Sequence, residues 1–170
     1  YMSTENMIKE KAGVTKASGL ASTKQVAAFT EGQILISNIR PYFKKIWFAN
    51  CNGGRSNDVL SFEAKSATAC EYVYSLLYQD SFFEYMTATS KGTKMPRGDK
   101  KAIMNWEVTI PPLALMEHFS CLVKPLFEKV PVHNENNAKL ESLRDTLLPK
   151  LISGELRIPD AEQATEALAK

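Results

Sequence analysis

The chain has 170 residues, 44% of them hydrophobic, and a formal net charge of +2. This is enough for one ordinary domain with an appendage, or for two small lobes. No apolar run approaches the roughly 20 residues that cross a bilayer, and no charged-then-apolar leader is found, so we expect a cytoplasmic protein with no membrane partner. The chain begins at Tyr1 rather than Met, and we expect an N-terminal portion of the fold to be missing.

The three cysteines, Cys51, Cys70 and Cys121, are odd in number and far apart. They fit neither a disulfide framework nor a zinc pattern. This predicts buried or idle thiols in a reducing compartment.

The charge is distributed unevenly. Residues 1–112 hold 14 basic and 10 acidic side chains, whereas residues 113–170 hold 7 basic and 9 acidic ones. The difference is small, but it favours a polyanion as the partner of the first part and a protein as the partner of the second.

The first half of the chain contains several β-prone runs. We expect a short strand at residues 1–7, and three further strands at residues 33–39, 46–49 and 58–62. The Asn-Gly-Gly sequence at residues 52–54 predicts a turn between the last two strands.

A helix is predicted after these strands. Thr68 and Glu71 have the spacing of a capping box, and the apolar residues that follow share one helical face. These residues are Tyr72, Val73, Leu76, Leu77, Phe83 and Met86. The basic stretch 91–101 is expected to be flexible, and residues 106–110 are predicted to form a last strand.

The C-terminal part is predicted to be helical. Apolar residues recur at helical spacing over residues 115–127, where Pro125 is expected to kink the helix. Pro131 is expected to break it, so that a new helix begins near Asn134 and is kinked again at Pro149. The apolar stripe of this new helix must pack either on its own domain or on another helix, and we predict a helix interface formed by Leu140, Leu143, Leu147 and Leu151.

This order of elements predicts an α+β fold. A globular domain of strands and one to two helices is followed by an appendage of long C-terminal helices of the coiled-coil type. We assign residues 1–112 to the domain, N-terminally incomplete, and residues 113–155 to the helical region. Gly154 predicts the end of the last helix, and residues 156–170 a flexible tail.

No motif in the sequence indicates catalysis. Residues 90–94 lack the spacing of a phosphate loop, and no Gly-x-Gly-x-x-Gly turn follows a strand. His118 and His133 have no ligand or nucleophile at catalytic spacing. Asp160 and Glu162 resemble a metal-dependent nuclease pair, but no lysine follows them and no strand precedes them. We expect a non-enzymatic protein without a cofactor or metal.

Two basic stretches are candidate nucleic-acid contacts. Residues 40–47 place three cations among three aromatic residues, and Arg55 adds a cation in the next turn. Residues 91–101 contain five cations and one acid. The alternative is that the aromatic residues belong to the core and that the lysines are only solvated. The spacing of the residues does not decide between the two. With Arg assigned to base edges and Lys to phosphates, the candidates are Arg40, Lys44, Lys45, Arg55, Lys91, Lys94, Arg97, Lys100 and Lys101.

Five segments together resemble the specificity subunit of type I restriction-modification systems. They are residues 32–42, 45–48, 90–93, 108–113 and 143–155, which occur in the order of the family. The last segment, with Leu-Leu-Pro-Lys-Leu-Ile-Ser-Gly-Glu, is the most specific. A full subunit of this family carries two recognition domains and two helical regions, whereas this chain has room for one of each.

The resemblance implies that residues 1–112 are a target-recognition domain, which reads one half of a bipartite sequence in double-stranded DNA. Residues 113–155 would space two such domains and dock the methyltransferase subunits and, through them, the restriction/translocase subunit. They would pair with a second recognition unit or with another copy of this chain. The family subunit has no catalytic residues of its own.

Three alternatives remain at this point. One is a non-catalytic adaptor that assembles through its C-terminal helix and whose basic loops are only solvated. Another is a nuclease built on Asp160 and Glu162. RNA is a third, although the aromatic residues are not spaced like a stacking platform on adjacent strands.

Overall fold

The computed structural model describes residues 1–17, 19, 25–65 and 69–156. Two compact units are found, Tyr1–Lys124 and Pro125–Lys170. The strands are β1 (Ala27–Phe29), β2 (Ile34–Ser37), β3 (Ile46–Phe48), β4 (Gly53–Arg55) and β5 (Val59–Phe62), with a 3-10 turn at Pro41–Phe43 between β2 and β3. The helices are α1 (Cys70–Leu77), α2 (Asp80–Ala88), α3 (Lys100–Met104) and α4 (Leu113–Ile152).

Strand β2 lies at the centre of the first unit. It pairs antiparallel with β3 on one side and with β5 on the other. Since side chains alternate along a strand, Ile34 and Ile36 enter a core with Phe82 of α2, while Leu35 enters a second core with Phe29. Both faces of β2 are therefore covered, and the strands predicted at residues 33–39, 46–49 and 58–62 are confirmed.

The turn predicted at residues 52–54 is wrong, because Gly53 and Gly54 belong to β4, which pairs antiparallel with β1. A Cβ on Gly53 would lie 2.8 Å from the Phe29 ring. The glycine therefore allows the aromatic ring to approach the strand backbone closely, a role that its turn propensity does not reveal.

Two further predicted strands are absent from the described part of the chain. Residues 1–7 make only isolated bridges, such as Met2 with Arg55. Residues 106–110 form no ladder, and Ile110 is 77% exposed. The Thr109 carbonyl accepts a hydrogen bond from the Tyr72 hydroxyl, 2.9 Å away. A side chain thus satisfies a carbonyl that a neighbouring strand would otherwise bind.

The helix predicted after the strands is two helices. Gln79 has an extended backbone (ψ 148°) and separates α1 from α2. Asp80 then starts α2, where an acidic side chain is favoured by the helix dipole. The predicted capping residue Thr68 lies outside the described residues, and α1 begins after Ala69.

Helix α4 corrects the prediction of several C-terminal helices. It runs unbroken for 40 residues through Pro125, Pro131 and Pro149. Proline fixes φ near −65°, which is a helical value, so each proline removes one hydrogen bond and crowds one carbonyl without preventing the helix from continuing. The end at Gly154 is confirmed: the helix stops at Ile152, and Gly154 has φ +73°. The predicted tail from residue 157 onward lies outside the described residues.

No helix in the described ranges is both long enough and apolar enough to cross a membrane.

Candidate nucleic-acid interface

The basic loop, residues 91–99, is fixed by backbone hydrogen bonds at the end of β2. Lys91 and Arg97 exchange two of them, 2.8 and 2.9 Å long. Arg40 N–H donates to the Pro96 carbonyl (2.8 Å), and Gly98 N–H donates to the Asn38 carbonyl (3.0 Å). The prediction of a flexible segment is therefore corrected, because the loop is tied at several points to the residues that follow a buried strand.

Gly98 is the point at which the loop touches the core. It is buried, and a Cβ there would lie 2.8 Å from Asn38 Oδ1, 2.8 Å from Met86 Cε and 2.9 Å from Ile103 Cδ1. A residue with a Cβ at this position would force the ends of these three side chains to shift. The backbone of the loop therefore lies directly against the core at Gly98.

Asp99 closes the loop and starts α3. Its carboxylate accepts hydrogen bonds from the backbone N–H groups of Lys101 (2.9 Å) and Ala102 (3.4 Å), as a helix N-cap does. It also pairs with the Lys91 ammonium at 2.5 Å. Lys91 first and then these N–H groups hold the pKa of Asp99 below its usual value, because they stabilise the carboxylate.

Three lysines of this region remain without a counter-charge. The side chains of Lys94, Lys100 and Lys101 are exposed, and none forms an ion pair with any described residue. Arg97 is different, since its Nη2 lies 3.1 Å from Asp58 Oδ1 while its side chain is still 58% exposed. The loop therefore presents both free ammonium groups and one oriented guanidinium.

Arg40 lies shortly after the end of β2 at Ser37 and has a strained backbone. Its φ of 51° lies in the left-handed region, which is uncommon for a residue with a side chain. Its Nε is buried and has no hydrogen-bond partner in the described part of the protein. The structure thus brings Arg40 to the basic loop and leaves one of its buried donors unsatisfied.

The other three candidates from the strand region make contacts within their own unit. Lys44 Nζ pairs with Asp80 at 3.0 Å, and this hydrogen bond raises the pKa of Lys44. Lys45 Nζ donates to the Thr4 carbonyl at 2.6 Å, and its partial burial lowers the pKa of Lys45. The roles of these two lysines as DNA contacts stay predictions, but their ammonium groups already have partners.

Arg55 is held in the same way. Its Nη1 donates to the Val59 carbonyl at 2.6 Å, and its Nε is buried without a partner in the described residues. It joins β4 to the start of β5. This contact gives Arg55 a structural role in addition to the predicted one.

The aromatic residues of the first basic stretch divide between core and surface. Trp47 packs edge-to-face on Phe29, with ring centroids 5.9 Å apart. Tyr42 is 44% exposed and packs on Phe43 at 4.7 Å. Trp47 therefore belongs to the core, as one of the two alternatives from the sequence held, whereas Tyr42 is accessible to a partner.

The leucines predicted as a helix interface lie in the second unit. Leu140 is 62% exposed and Leu151 is 36% exposed, while Leu143 and Leu147 are half-buried. An exposed apolar stripe on a helix is typical of a surface that contacts another helix.

Two acidic residues, Asp58 and Asp99, were not predicted from the sequence as parts of this site. Asp58 and Asp99 each hold a cation of the basic loop. Asp99 could have been recognised as a helix N-cap from its position before an apolar run. Asp58 pairs with a residue 39 positions away, and no local pattern indicates such a contact.

The described residues contain no group of three or more His, Cys, Asp or Glu side chains that could hold a metal. Burial raises the pKa of the Cys70 thiol, and Cys51 and Cys121 are exposed and free. Asp160 and Glu162, the nuclease alternative, lie outside the described residues.

No protein-family model matches the chain. The type I restriction enzyme MjaIX specificity subunit of Methanocaldococcus jannaschii is 41% identical over 70 residues, which cover 41% of this chain and 16% of the relative. The type I restriction enzyme EcoDI specificity subunit of Escherichia coli is 28% identical over 142 residues, which cover 81% of this chain and 31% of the relative. The resemblance predicted from the sequence motifs is confirmed.

A solved structure has the same fold. The HsdS subunit from Thermoanaerobacter tengcongensis matches with a TM-score of 0.57 at 19% identity, over 86% of this chain and 39% of that chain. The α+β fold, with small sheets followed by a long C-terminal helix, is thereby confirmed. The present chain spans less than a third of the length of either curated relative.

Proposed function

We propose that this chain is a sequence-recognition part of a type I specificity subunit, in which residues 1–112 read one half of a bipartite target in double-stranded DNA. In the cytoplasm it would direct the methyltransferase subunits and, through them, the restriction/translocase subunit to that target. In this proposal the chain contributes recognition, and catalysis belongs to the other subunits.

The observation that supports this proposal best is the anchored basic loop. Its backbone is fixed to the end of the buried strand β2, while Lys94 of the loop and Lys100 and Lys101 of α3 are exposed and form no ion pair with a described residue. Unpaired ammonium groups bind phosphates without first giving up an internal partner. A rigid scaffold below such a loop sets the register of the protein on the duplex.

Salt dependence tests the phosphate contacts. Each phosphate that a lysine neutralises contributes about 0.9 to the slope of log K against log salt concentration. We expect Lys94→Ala and Lys101→Ala each to reduce this slope by about 1 and to weaken binding to all sequences alike. The measurement is fluorescence anisotropy on target and unrelated duplexes, with Lys139→Ala of α4 as the control.

The loop assignment is contradicted if both lysine variants keep the wild-type affinity and salt slope. A protein that does not bind duplex DNA, even with its methyltransferase present, would contradict the proposed function as a whole.

A second candidate function, a protein-interaction adaptor, is favoured by one observation in the second unit. The stripe of Leu140, Leu143, Leu147 and Leu151 is only partly covered. Full burial of a leucine stabilises an association by roughly 1.5–3 kcal/mol. In the recognition proposal the same stripe pairs with the equivalent helix of a second recognition unit or of another copy of this chain.

Sedimentation of the chain tests the helix interface. We expect Leu140→Glu together with Leu147→Glu to abolish self-association, because two charges cannot be buried in an apolar seam. The matched control is Lys139→Gln on the charged side of the same turn. A wild-type chain that stays monomeric at high concentration would contradict pairing between copies.

A further inference from the structure

Arg97 is fixed at both its backbone and its side chain, yet its guanidinium stays exposed. The backbone exchanges two hydrogen bonds with Lys91 and forms a bridge with Ile39. The guanidinium contacts the Asp58 carboxylate through Nη2 alone, 3.1 Å from Oδ1 and 3.4 Å from Oδ2. An arginine that is 58% exposed and still anchored in this way differs from an ordinary solvated cation.

Asp58 is itself fixed to the central strand. Its carbonyl accepts a hydrogen bond from Asn38 N–H at 2.8 Å, and its own N–H lies 3.3 Å from Ser56 Oγ. Asn38 also accepts from Gly98 N–H, next to Arg97. The carboxylate and the loop that it contacts are therefore both attached to the end of β2.

The contact with Asp58 leaves most of the guanidinium free. Arginine has five N–H donors in one plane, and a single nitrogen is engaged here. The described residues offer no other hydrogen bond to this group. The remaining donors match the paired acceptors O6 and N7 that guanine presents in the major groove.

We infer that Arg97 is a specificity-determining residue that contacts a guanine edge in the major groove, and that Asp58 is a positioning residue that orients its guanidinium. This inference rests on the proposed DNA-recognition function. The ordering of a long side chain normally opposes binding, and Asp58 orders this one before DNA arrives. Lys91 also has an acidic partner, but its ammonium is a point charge that cannot bind guanine through two parallel hydrogen bonds.

The test is the methylated sequence motif, mapped in cells that lack other DNA methylation and express the full-length subunit with its methyltransferase. Wild type, Arg97→Lys, Asp58→Asn and Lys94→Gln are compared. We expect Arg97→Lys, which keeps the charge, to relax one motif position that is a G·C pair in the wild type. A bidentate contact discriminates against the wrong base by about 5- to 160-fold, and this discrimination should be lost.

The other variants separate orientation from charge. We expect Asp58→Asn to relax the same position as Arg97→Lys. We expect Lys94→Gln to lower methylation at all sites together and to leave the motif intact, as for a phosphate contact. If Asp58→Asn only raises methylation everywhere without altering the motif, Asp58 neutralises Arg97 and does not position it.

Several outcomes overturn the inference while the proposed function stands. They are an unchanged motif in Arg97→Lys, a uniform loss of methylation in that variant, and a relaxed position that is not a G·C pair. Methylation that persists at sites matching the remaining motif positions shows that each variant folds and assembles. Failure of the wild-type complex to methylate any defined sequence would instead contradict the proposed function.

Discussion

Replacement of Gly98 by alanine tests whether the basic loop is packed against the core. The added Cβ would lie 2.8 Å from Met86 Cε and 2.9 Å from Ile103 Cδ1. Both side chains are buried, with 0% and 5% exposure, and so have no solvent to move into. The Cβ would also lie 2.8 Å from Asn38 Oδ1, a buried oxygen without a partner in the described residues. Overpacking of this kind costs about 1–3 kcal/mol, and we expect Gly98→Ala to lower the free energy of unfolding by that amount.

Urea unfolding followed by circular dichroism measures this effect. The midpoint should fall while the slope of free energy against urea concentration stays unchanged, because the surface exposed on unfolding is the same. Gly19→Ala is the matched control, since a Cβ at Gly19 meets no atom of the described residues within 4 Å, and its effect should stay within about 0.5 kcal/mol. If Gly98→Ala is as stable as Gly19→Ala, the close packing of Gly98 against Met86 and Ile103 is refuted.

Two further predictions concern the ion pairs and the long helix. Lys11 and Lys44 lower the pKa of Asp80, so the pairs stabilise the fold above the unfolded pKa of about 3.9, and this contribution is lost as the pH falls through the folded pKa. Asp80→Asn should therefore lower the melting temperature at pH 7 but not near pH 2, and a difference that is constant with pH would contradict the ion pairs. Pro131→Ala should raise the stability of α4 by up to about 3 kcal/mol without added helical circular dichroism, since the helix already runs through this position. A gain in helical signal would indicate that Pro131 breaks the helix in solution.

The sequence predicts the central sheet because its signal is local. Residues 33–39 combine β-branched and apolar side chains, and the structure places β2 at Ile34–Ser37 within that run. Its neighbours β3 and β5 are short apolar runs bounded by turn residues. The apolar pattern and the flanking turn residues are therefore enough to predict both strands. The apolar side chains of these strands form part of the core, and their burial adds to the local preference for strand.

The sequence predictions are wrong where a contact with a distant residue determines the local structure. Gly53 looks like a turn residue, but the Phe29 ring occupies the space of its missing side chain. Residues 106–110 have β propensity, yet the Tyr72 hydroxyl satisfies Thr109 and no strand lies alongside. Pro131 has the lowest helix propensity of any residue type, but the long helical runs on both sides carry α4 past it.

The same distinction governs the candidate DNA contacts. Positive charge is visible in a sequence, whereas the partner of each charge is not. Lys45 donates to the Thr4 carbonyl, 41 residues away, and Arg55 secures the β4–β5 connection through the Val59 carbonyl. Lys94 has no such partner among the described residues and lies in a loop that no local pattern ties to β2.

The cations of the first unit differ in how readily they can bind a polyanion. A cation that already donates to a partly buried carbonyl must break that bond before it reaches a phosphate, and the carbonyl then loses its partner, which opposes binding. Lys45 and Arg55 are in this position, so they favour the fold more than they favour a polyanion. A free ammonium such as that of Lys94 meets no such opposing cost. The net charge therefore overstates the positive charge that is available to a polyanion, and Lys94 in the basic loop belongs to the part that is available.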